Sequence, residues 1–159
     1  MIGIMSDSHD NLPAIKKAVE LFNQVGCSLV IHAGDVVAPF AGRELGNLKC
    51  PVKAVFGNCD GEKDGLLKVF EKFGQITRAP FKFSHQNLQF WLSHYPVENQ
   101  KPAGVDVLVF GHTHRAQVNR DNNLLIVNPG ENCGWVNGIS TVAILEPTTL
   151  KVDIITLES

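Results

Sequence analysis

Five short apolar runs in this chain each stop at a residue type that binds metal: Met1 to Met5 before Asp7 and His9, Leu29 to Ile31 before Asp35, Val52 to Phe56 before Asn58, Phe90 to Leu92 before His94, and Val105 to Phe110 before His112 and His114. Runs of this length read as buried strands, and strands of an α/β sheet present their carboxyl ends to a common crevice. Ligand-type residues placed just after successive strands can therefore converge although they lie far apart in sequence.

The remaining pattern fills in the elements. Strand Ile2 to Ser6 precedes a helix from Leu12 to Val25, with Leu12, Ile15, Val19 and Phe22 as its apolar stripe, Asp10 or Asn11 as cap, Pro13 in the first turn and Gly26 at the stop. Strand Leu29 to Ala33, a short helix over Phe40 to Leu48, strand Val52 to Phe56 and a helix over Leu66 to Phe73 continue the alternation and predict a parallel, wound first half. The second half predicts antiparallel pairs: Phe81 to Ser84 with Leu88 to Ser93, Ala116 to Asn119 with Leu124 to Val127, and Ile139 to Leu145 with Leu150 to Leu157. The stretches Tyr95 to Gly104 and Pro129 to Gly138 are the loosest and are expected to rim a site.

Length and charge narrow the classes. The 159 residues suit one domain over 1–159 with a substantial core. A formal charge of −2 gives no basic field for nucleic acid or an anionic membrane, so phosphate recognition has to come from a bound cation. No leader-like segment and no run of about 18 apolar residues is present, and a cytoplasmic location is expected. Cys27, Cys50, Cys59 and Cys133 show no C-x-x-C pair and are expected to be reduced thiols. Oligomeric state is not legible, and homo-oligomerisation stays open.

The chemistry sits in Asp7-Ser8-His9, Gly34-Asp35, Gly57-Asn58, His94 and Gly111-His112-Thr113-His114. One divalent ion needs three or four protein ligands, so two carboxylates, one amide and four histidines suffice for a pair of ions if Asp35 bridges. In Asp7-x-His9 and His112-x-His114 an extended backbone points both side chains the same way, which predicts chelation by each pair. Gly34, Gly57 and Gly111 stand directly before ligands, where the missing Cβ permits close approach of backbone to the site. Taken singly, the blocks also read as a helix cap, a turn and a strand end. Taken together they point to metal.

These blocks resemble those of the calcineurin-like metallophosphoesterase superfamily, whose D-x-H, G-D, G-N-x-[DE], H and G-H-x-H motifs appear here complete and in order. The compact size and the Gly57-Asn58-Cys59-Asp60 form are similar to its small bacterial and archaeal phosphodiesterases. The resemblance implies a four-layer αββα sandwich with two mixed β-sheets. It puts Asp7, His9, Asp35 and His114 around one divalent ion and Asp35, Asn58, His94 and His112 around the other, with manganese expected and nickel, iron or zinc as further candidates. The activity implied is hydrolysis of a small phosphodiester. Two ions roughly 3.5 to 4 Å apart share a water, lower its pKa and let hydroxide attack phosphorus in line. Asp35, Asn58, His112 and Cys59 are the expected catalytic residues.

Cys59 departs from the superfamily, much of which carries histidine there as a donor to the leaving oxygen; a thiol is a poorer, differently shaped donor. Asn128-Pro129-Gly130 also resembles a family loop, where many relatives continue with Ser and this chain has Glu131, which predicts altered substrate contacts. Trp135 is a candidate to stack on a base or aryl group, with loop packing as the plainer reading. His32 is weighed as a support for ligands against a core histidine, Asp10, Asn11 and Asp60 as supports against capping and turn residues, and His85 is expected in solvent at a hairpin tip. The alternatives to a phosphodiesterase are a phosphomonoesterase and a noncatalytic scaffold of the same fold, the latter disfavoured because every ligand position is filled. A dinucleotide-binding domain lacks its G-x-G-x-x-G after the first strand.

Overall fold

The computed structural model describes residues 1–97 and 102–158. Strand β1 (Ile2–Met5) leads into helix α1 (Leu12–Val25). Ala14, Ile15, Ala18, Val19 and Phe22 form its buried face at helical spacing, which is why this segment folds as a helix against a sheet. Asn11 Oδ1 accepts the Ala14 amide at 3.3 Å, and Gly26 ends the helix in the left-handed conformation. β2 (Leu29–His32), α2 (Pro39–Glu44), β3 (Val52–Val55), α3 (Lys63–Phe70) and β4 (Gly74–Thr77) complete the wound half. The expected helix over Phe40 to Leu48 divides into α2 and a 3-10 turn at Leu45–Asn47, where Gly46 and Asn47 are poor helix formers.

The second half contains β5 (Phe81–His85), β6 (Leu88–Leu92), β7 (Val107–Val109), β8 (Ala116–Asp121), β9 (Leu124–Pro129), β10 (Thr141–Glu146) and β11 (Lys151–Thr156). Both sheets are mixed: six strands in the order β11-β10-β1-β2-β3-β4 and five in the order β5-β6-β7-β9-β8. β1 to β4 run parallel, and β6, β7 and β9 run parallel in the second sheet. The three expected antiparallel pairs are present as β5/β6, β8/β9 and β10/β11.

Alternation along the strands divides the core. Met5, Val30, Val52 and Ala54 face the helices, with Ile15, Phe22, Leu66 and Phe70 on the other side. Ile2, Ile4, Leu29, Ile31 and Val55 face the second sheet and meet Phe90, Leu92, Val107, Val109 and Val127. Burying side chains of this kind stabilises by about 1.5–3 kcal/mol each. Beyond the second sheet lies a smaller layer, Leu108, Phe110 and Leu124 with Trp91, Val97 and Ile126; no helix covers that face among the described residues. The middle of the stretch from Tyr95 to Gly104 lies outside the described residues. All four cysteines are free thiols. His85 is not left in solvent at its hairpin: its Nε2 pairs with Ser28 Oγ at 2.9 Å, and burial lowers its pKa. Among the described residues no helix is long and apolar enough to cross a membrane.

Candidate metal centre

Parallel pairing brings the loop starts together. Met5 aligns with His32 and His32 with Ala54, so the loops after β1, β2 and β3 leave side by side; Leu92 aligns with Val109 across β6 and β7, doing the same for His94 and His112. The backbone then turns differently from the extended geometry expected of the D-x-H and H-x-H pairs. Asp7, His9, Asp35, His112 and His114 all have positive φ, between 39° and 64°. Each therefore sits in the left-handed region of backbone conformation. Such conformations cost of order 1–3 kcal/mol each and persist where surrounding contacts over-determine them. Gly57 and Gly111 make the packing possible: a Cβ on Gly57 meets the Asp35 carboxylate, and one on Gly111 meets Ser6 Oγ and stands 2.7 Å from Asp7 Oδ2.

All seven expected ligand residues converge. Asp7, Asp35 and His94 form a buried floor, while Asn58, Cys59 and His112 are exposed at the mouth. Asp7 Oδ1 lies 3.9 Å from His9 Nε2 and 3.5 Å from His114 Nε2. Asp35 Oδ2 lies 3.6 Å from His9 Nε2 and 3.5 Å from His94 Nε2. Asn58 Oδ1 lies 2.9 Å from His94 Nε2 and 3.0 Å from His112 Nδ1. Donors held about 2.0–2.2 Å from a common ion stand about 2.8–3.6 Å from one another between octahedral and tetrahedral angles, a range that covers all of these spacings but the 3.9 Å between Asp7 and His9.

The hydrogen bonding supports the same fit. His94 Nδ1 lies 2.8 Å from the Ala33 carbonyl, which can only accept, so Nε2 of the neutral ring carries a lone pair. That lone pair faces Asn58 Oδ1, itself an acceptor, an arrangement that calls for a positive charge between them. Asp7 Oδ1 and His9 Nε2 are buried without a hydrogen-bond partner. Burial lifts the Asp7 carboxyl above the usual carboxylate range even with His94 and His114 beside it. A buried carboxylate and an orphaned imidazole nitrogen are the groups a divalent ion satisfies.

The surrounding residues hold the ligands in place. Asp35 Oδ1 accepts the Cys59 amide at 2.8 Å, leaving Oδ2 to face both histidines. Asp60 is a support and not merely a turn residue, accepting the amides of Asp35, Val37 and Gly57 at 3.0, 2.7 and 2.6 Å. Asp10 accepts the Ala38 amide, and Asn128 donates to the Gly111 carbonyl and to Thr113 Oγ1. His32 is fully buried; it accepts from the Gly34 amide and pairs with Ser8 Oγ, bracing two ligand loops. Burial holds its pKa down at about 3, so the ring is neutral. The Cys59 thiol receives the Asn58 amide at 3.2 Å; partial burial and the Asp35 carboxylate push it up to about 11.

Two residues exceed what the sequence suggested. Glu131 lies beneath the site as a buried anchor: it accepts from His114 Nδ1 at 2.9 Å, from the Cys133 thiol at 3.1 Å, and from the amides of Val136 and Asn137. Burial alone would raise its pKa, yet those donors hold it at about 2. Tyr95 packs its ring against His112 at 4.5 Å and His94 at 5.2 Å between centroids. Its position directly after His94 was the available signal. Trp135 is 64% exposed on the loop that Glu131 fastens.

Two stacked mixed sheets that gather such a cradle at their common end form the calcineurin-like phosphoesterase fold, and the chain belongs to that superfamily: residues 1–150 match its domain. Phosphodiesterase MJ0936 of Methanocaldococcus jannaschii is 37% identical over 164 aligned positions, covering 99% of each chain. Phosphodiesterase YfcE of Escherichia coli K12 is 32% identical over 143, covering 79% of this chain and 75% of that one. A solved structure described as a novel archaeal phosphodiesterase superposes with a TM-score of 0.91 at 36% identity, covering 98% of this chain and 99% of that one.

Proposed function

We propose that this chain is a metal-dependent phosphodiesterase acting on small phosphodiesters, with two divalent cations held by its seven clustered ligands. The observation that carries the proposal is Asp35: one oxygen is tied to the Cys59 amide, and the other stands nearly equidistant from His9 and His94. In this reading Asp7, His9, Asp35 and His114 hold one cation, and Asp35, Asn58, His94 and His112 hold the other. The oxygen and imidazole donors suit manganese, nickel, iron or zinc. When bound, such cations polarise phosphoryl oxygens and lower the pKa of water, so no protein nucleophile is required. The names of the two curated relatives support diester chemistry.

The chain's own groups do the rest. Ala33 and Glu131 fix the tautomers of His94 and His114, so that Nε2 of each ring faces the cradle. Asp60 keeps the Gly34-Asp35 and Gly57-Asn58 turns in register. Cys59, exposed at the mouth with its thiol pushed up to about 11, stays protonated at neutral pH and is a weak proton donor to a leaving oxygen.

The test is turnover of a phosphodiester by manganese-loaded Asp35→Ala and His112→Ala proteins whose circular dichroism matches the parent. Both are expected to lose at least 100-fold in kcat/KM; near-normal rates in either end the two-cation account. Cys59→Ala belongs in the same series, assayed on a good and a poor leaving group. A larger loss on the poor one is expected, and equal small losses on both exclude an acid role.

A further inference from the structure

The cradle is polar, but the two loops fastened to its opposite halves carry exposed apolar side chains. On the side of Asn58, His94 and His112, Tyr95 leaves 52% of its surface open while its ring rests on both imidazoles, and its carbonyl is pinned by Ser93 Oγ at 2.8 Å. On the side of Asp7 and His114, Trp135 and Val136 are 64% and 70% exposed. That second loop is tied down at every turn. The amides of Asn132 and Cys133 donate to the carbonyls of Ser6 and Asp7, and Asn137 Nδ2 donates to the His114 carbonyl. The Val136 amide shares the Glu131 carboxylate with His114 Nδ1, so the tip of the loop stands one carboxylate's width from a ligand ring. Tyr95 is anchored to one half of the cradle through His94 and His112, and the Trp135–Val136 tip to the other through Glu131 and His114.

Exposed apolar groups held beside a polar site mark what that site binds beyond its charged centre. Resting on the phosphodiesterase reading above, we propose that Tyr95 and the Trp135–Val136 tip are subsites for the two organic arms of the substrate, and that the preferred class is a phosphodiester with a flat or apolar group on each side of phosphorus. A phosphate monoester carries one such arm and leaves one wall unused. A diester fills both, with the anionic phosphoryl group between them over the cradle. Tyrosine and tryptophan suit this task because they offer wide, stiff faces for stacking.

The experiment compares bis(4-nitrophenyl) phosphate with methyl 4-nitrophenyl phosphate, which share a leaving group and differ in one arm, on manganese-loaded wild-type, Tyr95→Ala, Tyr95→Phe and Trp135→Ala proteins. Wild type is expected to favour the bis-aryl ester. The variant of the wall that holds the non-leaving arm should lose about five- to tenfold of that preference, mainly through KM, the variant of the other wall should weaken both esters alike, and Tyr95→Phe should behave as the parent. Binding is read separately, by saturable quenching of Trp135 fluorescence by diphenyl phosphate in a Trp91→Phe background. Equal loss on both diesters in both alanine variants, or no quenching, overturns the subsites. So does a Trp135→Ala protein altered only in sedimentation, which would make that loop a contact between copies of the chain. A wild-type protein that turns over neither ester overturns the phosphodiesterase reading instead, and the quenching still decides the walls.

Discussion

Glu131 shows how one side chain fixes a ligand without facing substrate. Its carboxylate takes a proton-bearing nitrogen from His114 and two backbone amides, so His114 has one tautomer open to it and the loop after Cys133 has one path. An amide cannot accept from all of these donors at once, because its NH2 half only donates. Glu131→Gln is therefore expected to weaken manganese binding about 10- to 100-fold, as losses of such outer partners do, measured by competition with a chromogenic chelator. His32 predicts a pH effect. Its folded pKa of about 3 lies below the ordinary 6.5, so the stability it contributes is full above pH 6.5 and is lost as pH falls from there toward 3. Urea titrations of the chelator-treated protein between pH 7.5 and 5 should show unfolding free energy falling toward acid, by up to about 1.4 kcal/mol per pH unit for one group. His32→Asn should flatten that slope, and an unchanged slope refutes the assignment.

At the scale of elements, the site depends on strand ends that turn sharply and pack without spare room. Gly57→Ala forces a methyl group into the Asp35 carboxylate, with the carboxyl carbon 2.7 Å away, whereas at Gly61 a Cβ meets nothing within 4 Å. Gly57→Ala should cost about 1–3 kcal/mol of unfolding free energy and most of the manganese affinity. Gly61→Ala should match the parent in both, so the pair of urea melts separates local crowding from loss of glycine as such. The strand-then-ligand pattern of the sequence was legible because it depends on apolar runs and residue type alone. Helix α1 was legible, since its stripe and Gly26 stop agree and Asn11 is one of the two cap candidates. Three things were not. β4 is four residues long and only Ile76 in it is buried, too short a signal for any period. α3 starts three residues before the expected Leu66 because Lys63, Asp64 and Gly65 lead its first turn without an apolar residue. The left-handed turns at Asp7, His9, Asp35, His112 and His114 go against the preferences of those residues and are imposed by tertiary contacts, which sequence periodicity does not encode.

For the whole molecule, the cradle is where polar side chains from both sheets gather at one end. Asp7, Asp35 and Asn58 leave the strands of the six-stranded sheet, and His94 and His112 leave those of the five-stranded one. In the proposed reading, cations shared between these groups would link the layers at one end, while Ile4, Ile31, Leu92 and Val109 link them along the interior. Without cations that end carries buried carboxylates and lone pairs directed at one another, a cost the native state bears and the unfolded chain does not. On that reading metal binding is expected to be coupled to global stability and not only to activity. At a free manganese concentration of 100 times Kd, one site adds about 2.7 kcal/mol. For a chain of 159 residues that corresponds to a rise in Tm of about 5–10 °C. Calorimetric melts with and without manganese should show the rise, a chelator should abolish it, and Asp35→Ala should show little of it. An identical Tm in all four samples would mean that these groups satisfy one another without an ion, and that the sheets are held by their apolar faces alone.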